Sequence, residues 1–328
     1  MSKPLPARRR QPKQADVSDR RENRREQRRA DEYDRDQPSS AGLVIVSIFC
    51  VRTAQMNEQT PASALAAVPL ELDLEHLPFE TDEGVGLRAS LGLLVLETDQ
   101  TIEDEFRAIW PAQGVALYGA RLHNSVHISP ETLKEMEGLI VPTTQLLPSM
   151  VDLSVVAFAC TSGALVIGEQ RVADLIRTVR PGALVTDPVT AAIAALRATG
   201  VRRVGLLTPY VRDINVRLRE ALIARGLEIP VMGSFNEADD GVVARISPRA
   251  VLEAIVRIGS SSSCDGVFVS CTSLRVARIV EEAEALIGKP VTSSNHALAW
   301  HMLRLAGIND DIPGFGHLYR QQACGGSL

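Results

Sequence analysis

From about residue 91 onward the chain alternates short, continuous apolar runs with longer segments of mixed character. The apolar runs fall at 92–97, 114–119, 154–160, 183–186, 203–208, 230–235, 266–271 and 290–293, and most end at residues that favour a turn or a helix N-cap. Runs of this length, rich in Val, Leu and Ile and bounded by such punctuation, read as buried strands. The segments between them are mostly of helix length. A regular alternation of this kind predicts parallel sheets with helices on both faces, because parallel strands are joined by long right-handed crossovers.

The pattern occurs twice. Val155-Val156-Ala157-Phe158-Ala159-Cys160-Thr161-Ser162 is repeated in design by Gly266-Val267-Phe268-Val269-Ser270-Cys271-Thr272-Ser273, each run ending in a thiol and two hydroxyls. Upstream, Gly92-Leu93-Leu94-Val95-Leu96 leads to Thr98-Asp99, and Val204-Gly205-Leu206-Leu207 leads to Thr208-Pro209-Tyr210. Asp99 precedes Cys160 by 61 residues, and Tyr210 precedes Cys271 by the same 61. Downstream, Leu196-Arg197-Ala198-Thr199-Gly200 is echoed by Leu303-Arg304-Leu305-Ala306-Gly307. The expected fold is α/β, with two pseudo-symmetric, four-stranded parallel-sheet (flavodoxin-like) domains and an active site between them. The expected division is an N-terminal extension over 1–65, a connecting segment over 66–90, and α/β units over 91–200 and 201–328 that can exchange elements across their boundary. Ligands of doubly wound sheets bind outside the carboxyl ends of the strands, which is where Asp99, Cys160, Tyr210 and Cys271 fall.

Composition changes this picture mainly at the N-terminus. The chain has 328 residues and a net charge of -5, yet residues 1–40 carry 12 Lys/Arg against 8 Asp/Glu, which leaves the remainder at -9. That first stretch has too few aliphatic residues to offset the entropy of ordering and is expected to be disordered. Met56 is a candidate alternative start, a point that intact-mass measurement decides. The acidic body carries no nucleic-acid footprint. No apolar run reaches the roughly 18 to 20 residues that span a bilayer, and a soluble, cytoplasmic protein is expected. Five cysteines, Cys50, Cys160, Cys264, Cys271 and Cys324, form no C-x-x-C pair and no His/Cys ligand spacing, so neither a disulfide framework nor a metal site is indicated.

The candidate chemistry lies in the repeated thiols. Removing a proton from carbon beside a carboxylate needs a base in contact and donors for the enediolate charge that develops. Inversion needs an acid on the opposite face. Cys160 and Cys271, expected on opposite sides of one cleft, supply that pair with no cofactor. A sulfur at a helix N-terminus is expected to have a lowered pKa. The hydroxyls of Thr161, Ser162, Thr272 and Ser273, with nearby N–H groups, would hold the carboxylate. His296, in Ser293-Ser294-Asn295-His296, is a candidate to reach the cleft, although a capping role for Ser or Asn explains that stretch equally well. Lys134 and Lys289, the only lysines beyond residue 40, sit away from strand ends, which speaks against pyridoxal phosphate. No G-x-G-x-x-G or Walker loop marks a nucleotide. The expected partner is a small carboxylate, with homo-oligomerisation left open.

These motifs resemble the cofactor-independent aspartate/glutamate racemase superfamily, in the branch of maleate cis-trans isomerases and arylmalonate decarboxylases. The resemblance covers about Leu87 to Ile308. It is carried by Thr98-Asp99-Gln100-Thr101-Ile102-Glu103, Ala159-Cys160-Thr161-Ser162-Gly163, Leu207-Thr208-Pro209-Tyr210, Ser270-Cys271-Thr272-Ser273-Leu274-Arg275 and Ser293 to Trp300. For a maleate isomerase it implies Cys160 as nucleophile on the alkene, Cys271 as proton donor and Tyr210 as a carboxylate ligand. Two asparagines that complete that pattern are replaced here by Asp99 and, as the best counterpart, Asp240, with Asn236 as the alternative. Carboxylates repel a dicarboxylate and suit an ammonium group. This points to α-proton transfer on an amino acid, Asp99 holding the amine, and the chain most resembles racemase-like proteins of ectoine degradation, whose pathway handles N-acetyl-2,4-diaminobutyrate. The alternatives are cis-trans isomerisation through a covalent Cys160 adduct, a decarboxylase-like activity, disfavoured because arylmalonate decarboxylases lack the first cysteine, and a non-catalytic binder of small acids.

Overall fold

The computed structural model describes residues 72, 74–110 and 113–322. The expectations for residues 1–65, and for Cys50 and Cys324, lie outside them. The described residues from Pro78 onward cluster as one compact unit, and among the described residues the first regular element begins at Ala89.

The elements run β1 (Ala89–Leu96), α1 (Ile102–Ile109), β2 (Val115–Leu122), α2 (Pro130–Glu135), α3 (Glu137–Gln145), β3 (Val155–Ala159), α4 (Thr161–Ile167), α5 (Glu169–Arg177), β4 (Leu184–Thr186) and α6 (Pro188–Ala198) in the first half. The second half runs β5 (Arg203–Thr208), α7 (Arg212–Ala224), β6 (Glu228–Ser234), α8 (Asp240–Val243), α9 (Pro248–Gly259), β7 (Gly266–Val269), α10 (Val280–Ile287), β8 (Val291–Ser293) and α11 (Ser294–Leu305). Each half builds one four-stranded sheet, ordered β2-β1-β3-β4 and β6-β5-β7-β8. All six strand pairs are parallel. The eight expected strands are thus present, within a few residues of their expected ends.

The central strands explain why their sequences read as unbroken apolar runs. Every residue of β1, β3 and β7 is buried, as a parallel sheet covered on both faces requires. A Cβ at Gly92 of β1 would lie 2.8 Å from Leu147, and one at Gly205 of β5 would lie 2.7 Å from Ile258. At both positions a covering side chain would have to shift to admit even a methyl group. The two halves share a core at their junction. Helix α11 follows the last strand of the second sheet but packs on α6 and against β3 of the first, while α6 reaches β8. Its residues Ala297, Leu298, Trp300, Met302 and Leu303 are fully buried. Parallel strands with this crossed pair of helices point the carboxyl ends of β1, β3, β5 and β7 at a common space.

Candidate active site

Cys160 and Cys271 both line one cavity at those strand ends, and they are 3% and 5% exposed. The space between the lobes amounts to about 410 Å³, a figure that includes open solvent at its mouth. The expected residues Thr161, Ser162, Tyr210, Asp240, Thr272 and Ser273 line it as well.

The first thiol is held by a helix. Cys160 is the N-cap of α4, and its Sγ accepts a hydrogen bond from the Gly163 N–H at 3.2 Å, with Ser162 Oγ 3.7 Å away. The lack of a side chain at Gly163 leaves room for both neighbours. A Cβ on it would sit 2.7 Å from Met136 Cε and 2.9 Å from the Cys160 sulfur. Thr161 Oγ1 shares a 2.8 Å hydrogen bond with Ser294 Oγ, and Ser294 Oγ accepts from the Cys271 N–H at 3.0 Å. The backbones of the two thiol loops are therefore linked through two hydroxyls.

The second thiol is held differently from the expectation. No helix begins after Cys271; a turn follows, and the next helical residues are the 3₁₀ segment Ala277–Ile279 and then α10. Cys271 has φ +128°, a region that costs a non-glycine residue of order 1–3 kcal/mol unless its surroundings enforce it. The Ser273 N–H points back to the Cys271 sulfur at 3.4 Å. The Tyr210 hydroxyl adjoins the same thiol. Tyr210 is fixed through its carbonyl, which accepts from Asn215 Nδ2 and Ser234 Oγ, both at 2.6 Å.

Neither thiol has a lowered pKa. Burial pushes Cys160 up to about 12, against the smaller lowering effect of the Gly163 N–H and Ser162, and the charges of Asp240 and Asp99 raise it further. Burial, followed by Asp240, also raises Cys271. The expected effect of a helix N-terminus is present only at Cys160, and desolvation outweighs it. Both shifts favour the protonated form of the sulfurs at neutral pH.

The acids divide. Asp240 lines the cavity, its two oxygens accepting from Thr98 Oγ1 and Ser273 Oγ, each at 2.7 Å. Each oxygen keeps a second lone pair. Asp99 does not line the cavity. Its Oδ1 accepts from the backbone of Thr101 and Ile102 at 2.8 and 2.9 Å and so ties down the start of α1, whereas Oδ2 is buried without a partner. Burial raises its pKa. His296 is also outside the cavity: Nε2 donates to the Phe315 carbonyl at 2.9 Å and Nδ1 meets Thr292 Oγ1 at 3.0 Å. Burial lowers it to about 4, so it is a neutral packing residue that accepts from Thr292. The neighbouring Ser293 caps α11, as the capping alternative for that stretch requires.

The other wall was missed from sequence. The β2–α2 connection and α2 contribute Asn124, Ser125, His127, Ile128, Thr132 and Leu133, and Met136 follows. Asn124 accepts from the Thr98 N–H at 3.2 Å and donates to Thr98 Oγ1 at 2.9 Å, which orients the Thr98 hydroxyl toward Asp240. Ile128 N–H donates to Ala238 O at 3.2 Å and Asp240 N–H to Val126 O at 3.3 Å, joining this wall to the second lobe. Among these residues the Ser129-Pro130-x-Thr132 helix start, where Ser129 caps α2, was the available signal.

The fold and the site together define a two-lobed α/β protein with a paired-thiol cleft. Residues 91–319 match the family model described as arylmalonate decarboxylase, and the chain belongs to that family. It is 29% identical over 254 residues to the maleate isomerase of Nocardia farcinica, covering 73% of this chain and 98% of that protein. It is 35% identical over 136 residues to the arylmalonate decarboxylase of Bordetella bronchiseptica, covering 41% and 57%. Among solved structures, a cysteine-to-serine variant of the Nocardia farcinica maleate cis-trans isomerase with a covalently bound succinylcysteine intermediate matches with TM-score 0.62 at 26% identity, covering 71% of this chain and 98% of that one.

Proposed function

We propose that the protein is a cofactor-independent isomerase, a racemase or epimerase that moves the α-proton of a small amino-acid-type carboxylate between Cys160 and Cys271. The observation that carries this reading is the meeting of both thiols in one cavity whose wall also holds the Asp240 carboxylate. One sulfur, as thiolate, takes the α-proton; the electron pair passes into the carboxylate as an enediolate; the other sulfur donates its proton to the opposite face of the same carbon. Atoms and charge balance, with one proton moved from thiol to thiol. The enediolate oxygens fall to Tyr210, the Thr161, Ser162 and Thr272 hydroxyls and the adjacent N–H groups.

The raised thiol pKa values fit a substrate that brings its own cation. Asp240 is among the charges that raise both thiols, and an ammonium group set against it removes part of that repulsion. The amine role assigned to Asp99 on sequence thus passes to Asp240, which faces the cavity. An N-acetylated 2,4-diaminobutyrate, as in ectoine catabolism, has the required carboxylate and amine.

A second reading is cis-trans isomerisation through a covalent Cys160 adduct, supported by the maleate isomerase relatives. Proton NMR in D2O on separate samples of N-acetyl-2,4-diaminobutyrate isomers, aspartate and maleate distinguishes the two. The proposal expects loss of an α-proton signal with no new alkene. Fumarate formed from maleate would instead establish the second reading and overturn the argument from Asp240.

A further inference from the structure

We infer that Glu105 and Asn295 form a buried clamp that positions the Cys271 turn from the opposite lobe, making them positioning residues for this thiol. The inference rests on the proposed role of Cys271. Glu105 lies on α1 in the first half and is 2% exposed. Its Oε1 accepts from the Val276 and Ala277 N–H groups at 2.5 and 2.6 Å, and its Oε2 from Asn295 Nδ2 at 2.9 Å. The same Asn295 Nδ2 donates to the Thr272 carbonyl at 2.7 Å, and Thr101 Oγ1 donates to that carbonyl at 2.6 Å. Both ends of the segment Thr272–Ala277 are therefore gripped by one buried network. Cys271, at φ +128°, immediately precedes the gripped carbonyl. A strained residue persists only where its surroundings over-determine it, and this network supplies that constraint where no helix does.

All three hydrogen bonds to Glu105 come from N–H donors, so the clamp requires the ionised carboxylate. Burial raises its pKa to about 7, with Asp99 adding to the rise; Tyr319, from the C-terminal 3₁₀ turn, is the other titratable group facing it. A protonated Oε2 needs an acceptor. Asn295 Oδ1, buried and without a partner, can provide one if the amide turns over, which withdraws Nδ2 from Thr272. The sign follows. A carboxyl whose folded pKa exceeds its unfolded value keeps its proton in the folded state between about 4.5 and about 7, so its contribution to folding stability declines as pH rises through that window. The clamp itself closes fully only above about 7.

The test is alkylation of each thiol by iodoacetamide, read by peptide mass spectrometry between pH 6 and 8, in the full chain and in Glu105→Gln. Gln mimics the protonated acid: with its oxygen kept on the Val276 and Ala277 N–H groups, its Nε2 meets Asn295 Nδ2 unless that amide turns over, which withdraws Nδ2 from Thr272. We expect Cys271 labelling to rise at least tenfold in Glu105→Gln while Cys160 changes less than twofold. In the unsubstituted protein the Cys271-to-Cys160 ratio should rise as pH falls through about 7, and in Glu105→Gln it should be flat. Should Glu105→Gln fail to fold, Asn295→Ala carries the same comparison, and the pH profile of the unsubstituted protein needs no variant. A pH-independent ratio that neither substitution moves would overturn the clamp. Labelling requires no turnover, so failure of the isomerase reading leaves this test intact, and turnover with unmoved labelling would sink the clamp alone.

Discussion

The two thiol loops begin with the same letters and are built in different ways. After Cys160-Thr161-Ser162 comes Gly163, whose N–H turns onto the sulfur and opens a helix. After Cys271-Thr272-Ser273 comes Leu274, which is fully buried, and the chain turns without forming a helix. The first loop is secured by local geometry with Cys160 at an ordinary φ of -143°. The second holds its cysteine at positive φ and depends on hydrogen bonds from distant parts of the chain. A duplicated motif thus conserves where the sulfur sits while changing what keeps it there, and the third residue after the cysteine marks the change.

This contrast can be broken experimentally, starting with the sulfurs themselves. Cys160→Ala and Cys271→Ala should each lower inversion by roughly 10²–10⁴-fold, with little change in melting temperature, as measured by steady-state kinetics and calorimetry. Undiminished inversion in either variant would show that the other thiol alone suffices.

Gly163→Ala tests the local device. The added methyl would meet Met136 and the sulfur, displacing the thiol by a few tenths of an ångström or more. Such misplacement costs up to about 10²-fold in kcat, and overpacking costs about 1–3 kcal/mol of stability. Denaturant titration alongside kinetics separates the two effects.

Asp240→Asn tests the shared wall. It removes a charge that raises both thiols and should increase KM for an amine-bearing substrate about tenfold while improving binding of maleate, readable by calorimetric titration. Unchanged binding of both would remove Asp240 from the substrate argument.

The smallest effect is on pH dependence. With Cys160 near 12, its alkylation rate should climb tenfold per pH unit from 7 to beyond 10. A plateau near the ordinary thiol value of about 8.5 would contradict the burial argument. The linkage sign is that of a raised acid: the folded form holds the proton more tightly, so stability is unaffected by this thiol below about 8.5 and falls as pH rises from there toward 12.

Much of the architecture was legible because parallel strands buried on both faces leave unbroken apolar runs, and because Cys160 and Cys271 end two matching ones. Thr161, Ser162, Tyr210, Thr272 and Ser273 followed from the same repeat. Asp99 and His296 lie off the cavity for one physical reason. Each is a polar residue beside a strand end, and such a residue can face either the cleft or the adjoining backbone; Asp99 ties down α1, and His296 donates to the Phe315 carbonyl. The wall from Asn124 to Met136 carries no period or repeat that links it to the cleft, since its place is set by long-range hydrogen bonds to Ala238 and Asp240. Glu105 reads as one more acid in a helix's first turn, where Glu103 and Asp104 also lie. Only the fold reveals that its partners are 171 and 190 residues away.

The central claim is that two sulfurs act on one carbon from opposite faces. The most direct measurement is α-proton exchange in D2O, followed by NMR on each enantiomer of N-acetyl-2,4-diaminobutyrate separately, in Cys160→Ala and Cys271→Ala. The account predicts that each variant exchanges the proton of one enantiomer only, the two variants with opposite preference, and that inversion lags far behind exchange in both. Full inversion by both variants, or exchange of the same enantiomer by both, would contradict it.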